Sequence, residues 1–331
     1  MIAYVSAMLA AGLVFLGGHG IGAKRTEASP QWKLLHSKLA PQASALDAMS
    51  EEPGARGVLL LDSSPSALGR LTWTLDGEDW KPARSKVSPA LREGGALSLS
   101  ADGVLLFSGL HSTPTTKLAD SWIWNGEWRS IATTAAPPPR AFAAVAYDPR
   151  TKDVVLFGGL GRGFYSDTWI WNGKTWHEAS GRMHPSSRYG AQMAWDPSSG
   201  DLVLYGGLGP RFKISTATWL WTGQGWRRDA QRLSPGERYN EAMASDPSLD
   251  GVVLFGGRWA TPKGDLWLWK RGHWHRLVAP GAPSAHTGAS MSYDASLNGV
   301  VMFGGLLKDG SLTSQTWLLT SGNGTRVRSE K

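Results

Sequence analysis

Hydrophobic and polar positions follow a short pattern that recurs along almost the whole chain. The run from Phe142 to Tyr147 alternates small and larger residues, and an Asp-Pro turn separates it from the continuous apolar run Val154–Phe157. Alternation with a period of two predicts a half-buried strand, whereas a short β-branched and aromatic run predicts a strand buried on both faces. A double Gly, a Trp-Ile-Trp segment, an Asn-Gly turn and a final Trp complete the unit. Each unit therefore predicts four antiparallel strands joined by tight turns.

The unit occurs six times, with the last strands of the first and sixth copies degenerate. The first residue of the double-Gly position falls at 62, 108, 158, 206, 256 and 304, so the period lies between 46 and 50 residues. A period of this length with four strands per repeat is typical of a propeller, in which each repeat forms one blade.

These motifs resemble those of the kelch family, because the hydrophobic run, the double Gly and the spaced Trp residues recur together from Gln31 to about Val327. The resemblance implies an all-β, six-bladed kelch-type β-propeller with four antiparallel strands per blade. The predicted blades span residues 43–82, 92–131, 140–179, 188–229, 238–278 and 286–327, within a domain of residues 26–331. Blade 1 departs from the pattern with Asp62-Ser63 at the double Gly, and blade 6 lacks the closing Trp.

The segment Gln31–Leu35 looks like a fourth strand without a blade of its own. We predict that it completes blade 6 and closes the ring, which removes the open sheet edge that a linear array would expose. The alternative is that Thr325–Arg328 forms the outer strand of blade 6.

Residues 1–25 differ from the rest of the chain. Ile2–Gly18 is apolar and is followed by His19, Lys24 and Arg25. This pattern predicts export through a cleaved signal sequence or an anchor formed by residues 2–18, although no basic residue precedes the apolar run. The missing basic residues also fit a start codon placed too far downstream. The predicted location is therefore periplasmic, cell-surface or secreted.

The composition limits the kinds of functional site and partner that the chain can have. The chain has no Cys, which excludes disulfides, thiolate metal sites, a lipoprotein anchor and the Tyr–Cys copper site of galactose oxidase, a kelch propeller. We expect no cofactor and no metal. The formal charge is +7, and residues 205–276 hold eleven Lys/Arg against six Asp/Glu. This charge favours an acidic partner, but no basic run is long enough to predict nucleic-acid binding.

Basic residues precede the first strand of five repeats, which places them around the mouth of the predicted channel. They are Arg92, Arg140, Arg188, Arg238 and His286. Loops after the double Gly add further candidates on the same face: Arg162 and Tyr165, Arg211 and Phe212, and Arg258 and Trp259. Arg forks bind carboxylates, sulfates or phosphates in two-point contacts, and some kelch relatives bind acidic peptides in this way. The alternative is structural, with the ring paired to Asp120, Asp167 and Asp265.

Sixteen of the 18 Trp residues lie on the repeat register or on the matching Gln31–Leu35 strand, which predicts that they fill the space between blades. Trp259 lies outside the register, and we predict that it is partly exposed. Glu237, Glu241 and His286 are the candidate acid–base residues, each in one repeat only. His273 and His275 share a strand face but lack a third ligand, and Asn323-Gly-Thr325 matches a glycosylation acceptor.

The sequence leaves three functions open. The first is a binding module for a protein or an acidic glycan, without catalytic residues. The second is a carbohydrate-active enzyme, similar to the bacterial kelch propellers that epimerise sialic acid. The third is a structural protein of the cell envelope, in which the Arg ring is fully paired. Neither the ligand nor the oligomeric state follows from the sequence.

Overall fold

The computed structural model describes residues 29–54, 57–64, 72–112, 115–230 and 233–322. Residues 1–25, the glycosylation motif and the alternative strand Thr325–Arg328 lie outside these ranges. Within the described ranges, no helix combines the length and apolar character needed to cross a membrane.

The regular secondary structure of the described residues consists of β-strands and one short 3-10 turn at Pro210–Phe212. The strands in chain order are β1 (Gln31–Leu35), β2 (Ala48–Glu51), β3 (Val58–Leu61), β4 (Thr72–Asp76), β5 (Asp79–Pro82), β6 (Ala96–Ser100), β7 (Gly103–Ser112), β8 (Thr115–Trp124), β9 (Trp128–Ile131), β10 (Ala144–Asp148), β11 (Asp153–Phe157), β12 (Thr168–Trp171), β13 (Trp176–Glu178), β14 (Tyr189–Asp196), β15 (Asp201–Leu208), β16 (Trp219–Trp221), β17 (Trp226–Arg228), β18 (Ala242–Asp246), β19 (Gly251–Phe255), β20 (Leu266–Lys270), β21 (His273–Leu277), β22 (His286–Thr287), β23 (Ser290–Asp294), β24 (Gly299–Phe303), β25 (Leu306–Leu307) and β26 (Thr316–Thr320).

Six antiparallel sheets of four strands confirm the predicted all-β, six-bladed propeller. Blades 1 to 5 each take four consecutive strands, namely β2–β5, β6–β9, β10–β13, β14–β17 and β18–β21. Blade 6 has the order β23-β24-β26-β1, and the short pair β22–β25 lies beside it. The second strands are the most buried, because they are covered by a neighbouring blade on each face. Val154, Leu156, Val252 and Leu254 are completely inaccessible to solvent.

The N-terminal strand closes the ring. Strand β1 pairs antiparallel with β26, so that Gln31 lies opposite Thr320 and Leu35 lies opposite Thr316. Trp32 packs edge-on against Phe255 of blade 5, with ring centroids 5.4 Å apart. The prediction that Gln31–Leu35 completes blade 6 is therefore confirmed.

The Trp residues of the outer strands link each blade to the preceding one. The indole Nε1 of Trp274 in blade 5 donates to Thr218 Oγ1 in blade 4 at 2.9 Å. The same contact joins four further pairs: Trp80 and Thr316, Trp128 and Thr72, Trp176 and Ser121, and Trp226 and Thr168. These bonds satisfy buried N–H groups that would otherwise destabilise the packed interface. Trp32 differs, because Leu266 stands where the other blades have Thr or Ser, and its Nε1 has no hydrogen-bond partner among the described residues.

Six residues form a backbone hydrogen-bond ring around one end of the central channel. Each adopts a positive φ, between 52° and 69°, and the N–H of each donates to the carbonyl of its counterpart in the adjacent blade at 2.7–3.1 Å. The members of this backbone ring are Leu46, Gly94, Phe142, Gly190, Asn240 and Gly288. Three members are Gly, which adopts this left-handed conformation without strain.

Steric contact between neighbouring blades explains the double Gly of the repeat. A Cβ on Gly158 would lie 2.7 Å from the carbonyl oxygen of Arg188 in the next blade, and a Cβ on Gly256 would lie 2.6 Å from that of His286. The backbones of neighbouring blades approach at these positions as closely as Gly allows.

We expect Thr218→Val to lower the free energy of unfolding by about 1–3 kcal/mol, because it leaves the Trp274 Nε1 buried without an acceptor while preserving side-chain volume. Urea unfolding at constant pH measures this change. In a Trp274→Phe background the same substitution should cost much less, since the donor is already gone. Equal costs in both backgrounds would show that the hydrogen bond contributes nothing.

Candidate functional site

Three of the five predicted ring residues are buried and fully engaged in ion pairs. The Arg140 side chain has no exposed surface, and its Nη1 and Nη2 each donate to one carboxylate oxygen of Asp167 at 2.7 Å. Nη1 also donates to the Gly158 carbonyl, and the same carboxylate accepts from Trp169 Nε1. Arg92 with Asp120 and Arg238 with Asp265 repeat this arrangement. The structure therefore gives Arg92, Arg140 and Arg238 an internal position between strands, with no exposed guanidinium surface for a ligand.

The pKa of these carboxylates reflects the pairing. Burial acts to raise the pKa of Asp167, but the hydrogen bonds and charge of Arg140 outweigh it and hold the pKa below its usual value. Asp120 and Asp265 behave in the same way. All three Asp residues thus stay charged and keep their Arg partners fixed.

Arg188 is buried without a matching Asp, because Ala217 occupies that position in blade 4. Its side chain donates instead to the carbonyls of Ser186 and Gly206 and to Ser186 Oγ. Burial lowers the pKa of Arg188 to about 10, and the negative charge of Glu241 acts in the opposite direction. Blade 4 therefore holds a buried guanidinium without an ion pair of its own, and the carboxyl group that acts on it electrostatically belongs to blade 5.

That carboxyl group is Glu241, which lies immediately before the inner strand of blade 5. It is 1% exposed, and neither carboxylate oxygen has a hydrogen-bond partner of normal geometry among the described residues. Burial raises its pKa to about 8, although the charges of Arg238 and Arg188 and the nearby N–H groups of Glu241 and Gln192 favour ionisation. The carboxylate fits because Gly206 lies against it, where a Cβ would be 2.2 Å from Oε1.

His286 is also buried, so its predicted position at the ring does not expose it. Its Nδ1 lies against the carbonyl of Ser284, and its Nε2 has no partner among the described residues. Burial lowers the pKa of His286, which keeps the imidazole neutral near physiological pH.

The loop residues are more accessible than the ring. Arg162, Arg211, Phe212 and Trp259 are exposed, with 76% of Phe212 and 43% of Trp259 accessible to solvent. The prediction that Trp259 is partly exposed is confirmed. Tyr165 is half-buried, and its ring packs over the Arg140 guanidinium, 4.3 Å from Cζ to the ring centroid.

Aromatic residues from blades 3 to 5 meet beside the channel, at the end that the backbone ring surrounds. The rings of Phe142, Phe164 and Tyr239 lie 6.0, 5.8 and 6.2 Å from the ring of Tyr189. Arg258 lies beside these rings, because its backbone pairs with that of Tyr239. Burial and Tyr239 raise the pKa of Tyr189, and the charge of Arg258 acts in the opposite direction. The Arg258 Nε has no hydrogen-bond partner among the described residues. We call Phe142, Phe164, Tyr189, Tyr239 and Arg258 the aromatic mouth.

Sequence reasoning found Arg258 but missed the tyrosines of this cluster. Tyr189 and Tyr239 directly follow Arg188 and Arg238, in a position that holds Glu93, Ala141 and Thr287 in other repeats. An aromatic pair confined to two adjacent repeats is the signal that could have identified them.

Behind the mouth, the inner strands enclose a central channel with a cavity volume of about 370 Å³. Its lining includes the six residues of the backbone ring and three acidic residues, Asp47, Glu51 and Glu241. Asp47 accepts hydrogen bonds from Ser44 and Ser63, and burial raises its pKa to about 6.

The remaining candidates do not form a site. Glu237 is exposed on the surface, and His273 and His275 are exposed with ring centroids 6.4 Å apart. Within the described part of the chain, no cluster of three His, Cys, Asp or Glu residues has a geometry suited to a metal ion.

Comparisons with known proteins support the fold and little beyond it. The solved structure of YjhT superposes with a TM-score of 0.68, covers 87% of this chain and 98% of its own, and is 13% identical in sequence. Because the identity is so low, this likeness shows the propeller fold alone. The tRNA wybutosine-synthesizing protein 4 of Aspergillus fumigatus is 28% identical over 131 residues, which are 37% of this chain and 12% of that protein. No family model matches the chain.

Ala217→Asp should give Arg188 the carboxylate partner that three other blades possess. We expect the free energy of unfolding to rise by about 1–2 kcal/mol, because the guanidinium is already buried and gains charge-assisted hydrogen bonds. Urea unfolding measures the change, and Ala217→Asn serves as the uncharged control. An unchanged or lowered stability of the Asp variant would contradict the assignment.

Glu241 should make stability depend on pH. Its pKa is raised to about 8 in the folded protein, so the folded state retains a proton that the unfolded chain releases near its ordinary pKa of about 4.3. Glu241 therefore stabilises the folded protein fully at pH values below about 4.3. The free energy of unfolding then falls as pH rises to about 8, because only the unfolded chain releases the proton in this range. Glu241→Gln should remove this loss, so that the variant gains stability relative to the natural protein between pH 5 and 8.5. A constant difference between the two proteins over that range would refute the shift.

Proposed function

We propose that this protein is a kelch-type propeller that acts as a binding module for an acidic glycan, with the aromatic mouth as its binding surface. The observation that carries the proposal is Arg258, a partly exposed guanidinium among aromatic rings whose Nε has no partner among the described residues. The Nε is inaccessible to solvent, so a ligand carboxylate would bind the outer Nη groups of the same guanidinium in charge-assisted hydrogen bonds.

The chemistry around Arg258 matches a charged sugar. Pyranose rings present apolar C–H faces that pack on aromatic side chains, and Tyr189 and Tyr239 are both half-buried. A uronic or sialic acid adds the carboxylate that Arg binds in a two-point contact. Exposed Arg162 and Arg211 flank the mouth and add positive charge that attracts an acidic chain.

The loop of blade 4 presents its side chains through a strained backbone. Arg211 and Phe212 have φ of 56° and 59°, in the left-handed region that residues other than Gly seldom adopt. Two such residues in succession cost about 1–3 kcal/mol each, and strain of this kind concentrates at ligand-binding segments. Here it holds Phe212 in solvent, where the ring can contact a bound chain.

A binding role fits the geometry better than the alternatives. Acid–base catalysis needs a group that reaches the substrate, but Glu241 is 1% exposed and His286 is buried. A purely structural role accounts for the paired Arg92, Arg140 and Arg238, but it leaves the exposed aromatic side chains without a purpose. Export to the cell envelope, where acidic glycans occur, remains our expectation for residues 1–25.

Calorimetry with N-acetylneuraminic acid, glucuronic acid and uncharged N-acetylglucosamine tests the proposal. We expect the two acids to bind and the neutral sugar to bind at least tenfold more weakly. Arg258→Ala should weaken binding of the acids by about tenfold or more, since charged hydrogen bonds contribute about 1.5–3 kcal/mol. Trp259→Ala tests the contribution of the adjacent exposed ring.

Arg271→Ala is the matched control, because Arg271 is exposed in the β20–β21 turn at the opposite end of the blade. This variant loses the same charge and should bind as the natural protein does. If all three sugars fail to bind, or if Arg271→Ala weakens binding as much as Arg258→Ala, the glycan proposal is wrong. A protein ligand would then be the better hypothesis for this face.

A further inference from the structure

The end of the channel opposite the backbone ring has a different chemistry from the mouth. Six residues at equivalent positions near the ends of the inner strands are partly exposed, while most of their neighbours in the same strands are buried. We call them the far rim: Glu51, Leu99, Tyr147, Trp195, Ser245 and Tyr293. Three of the six are large aromatic residues, and one is a carboxylate.

Acidic side chains concentrate at the far rim, and burial raises the pKa of one of them, Asp246. Asp246 and Asp294 each immediately follow a rim residue, are completely buried, and have one carboxylate oxygen without a hydrogen-bond partner among the described residues. The repeats show why these two Asp residues lack the Trp hydrogen-bond donor that Asp196 has. Trp269 Nε1 donates to Asp196 at 3.2 Å, whereas Leu319 and Leu75 stand at the Trp269 position in the blades that follow Asp246 and Asp294.

The acidic side chains affect the pKa values of two rim residues. Burial and the charges of Asp246, Glu51 and Asp294 raise the pKa of Tyr293. Burial and the charge of Asp294 also raise the pKa of Glu51. Among the described residues that line the channel, none is Lys, Arg or His. A protein with a net charge of +7 thus keeps one end of its channel acidic.

The rim already holds one cation at its outer edge. The guanidinium of Arg150 lies over the ring of Trp195, 5.2 Å from its centroid, and forms ion pairs with Asp148 and Asp201 at 3.1 and 3.7 Å. The faces of aromatic rings attract cations, and the attraction is strengthened where water is partly excluded. The channel volume of about 370 Å³ falls in the range of small-molecule sites, about 300–1,000 Å³.

We propose that the far rim is a binding site for an organic ammonium group, with the aromatic rings of Tyr147, Trp195 and Tyr293 around the cation and the Glu51 carboxylate as its counter-ion. The site is separate from the aromatic mouth, since the two lie at opposite ends of the channel and prefer ligands of opposite charge. The ammonium group belongs to a free amine or to a lysine side chain of another protein.

Titration calorimetry and Trp fluorescence with three probes test this site on the full chain. The probes are choline, its uncharged isostere 3,3-dimethyl-1-butanol, and spermidine. We expect saturable binding of choline or spermidine at one site per chain, and at least tenfold weaker binding of the uncharged isostere. A lysine-rich peptide distinguishes the sources, because a site for a protein lysine binds the peptide more tightly than the free amines, and a site for a free amine does the reverse.

Variants locate the binding. Glu51→Gln and Trp195→Leu should each weaken amine binding by about three- to tenfold or more, with circular dichroism and unfolding curves confirming that both variants fold. Glu127→Gln is the control, because it removes one exposed carboxylate from the β8–β9 turn, outside the channel lining. The proposal is overturned if no cation binds saturably, if the uncharged isostere binds equally well, or if Glu127→Gln matches Glu51→Gln. None of these results bears on the sugar titrations, so the two proposals can fail independently.

Discussion

The backbone ring is the constraint on which the other features depend. Six N–H groups donate around the channel from blade to blade, and all six residues accept a left-handed backbone to do so. This geometry fixes where the inner strands begin. In blades 2 to 6 it also places the Arg or His that stands two residues before the ring member at the same depth. Phe142 belongs both to this ring and to the aromatic mouth, so the contact that joins the blades also positions part of the candidate site.

The sequence predicted the fold well because the repeat encodes it directly. Blade number, strand order and the closing role of Gln31–Leu35 all follow from period and motif. The candidate site was less predictable from the sequence. The position of Arg140 was predicted, but its exposure depends on Asp167, and the pattern fitted a ligand-facing ring and a paired one equally. The contact among Phe142, Tyr189 and Tyr239 joins three blades, and only the three-dimensional arrangement brings it together.

Departures from the repeat are where the molecule becomes asymmetric. Blade 4 has Ala217 in place of an Asp, and blade 5 has Glu241 where blades 2, 3, 4 and 6 have Gly95, Ala143, Ala191 and Ala289 and blade 1 has Asp47. The two changes are linked, since the buried guanidinium of Arg188 and the buried carboxyl group of Glu241 act on each other electrostatically across the blade interface. In a nearly symmetric ring, such single-copy residues give one side of the mouth a chemistry that the other side lacks.

Closure through β1 has a consequence for how the protein is made. The ribosome produces Gln31–Leu35 before the rest of the propeller, whereas its partner Thr316–Thr320 emerges almost 300 residues later. Until then, strand β1 is unpaired and the incomplete array of five blades has open sheet edges. This state is the most exposed to mispairing between nascent chains. The ring therefore cannot close before the sixth blade has been synthesised, and its final step is the long-range docking of β1 against β26.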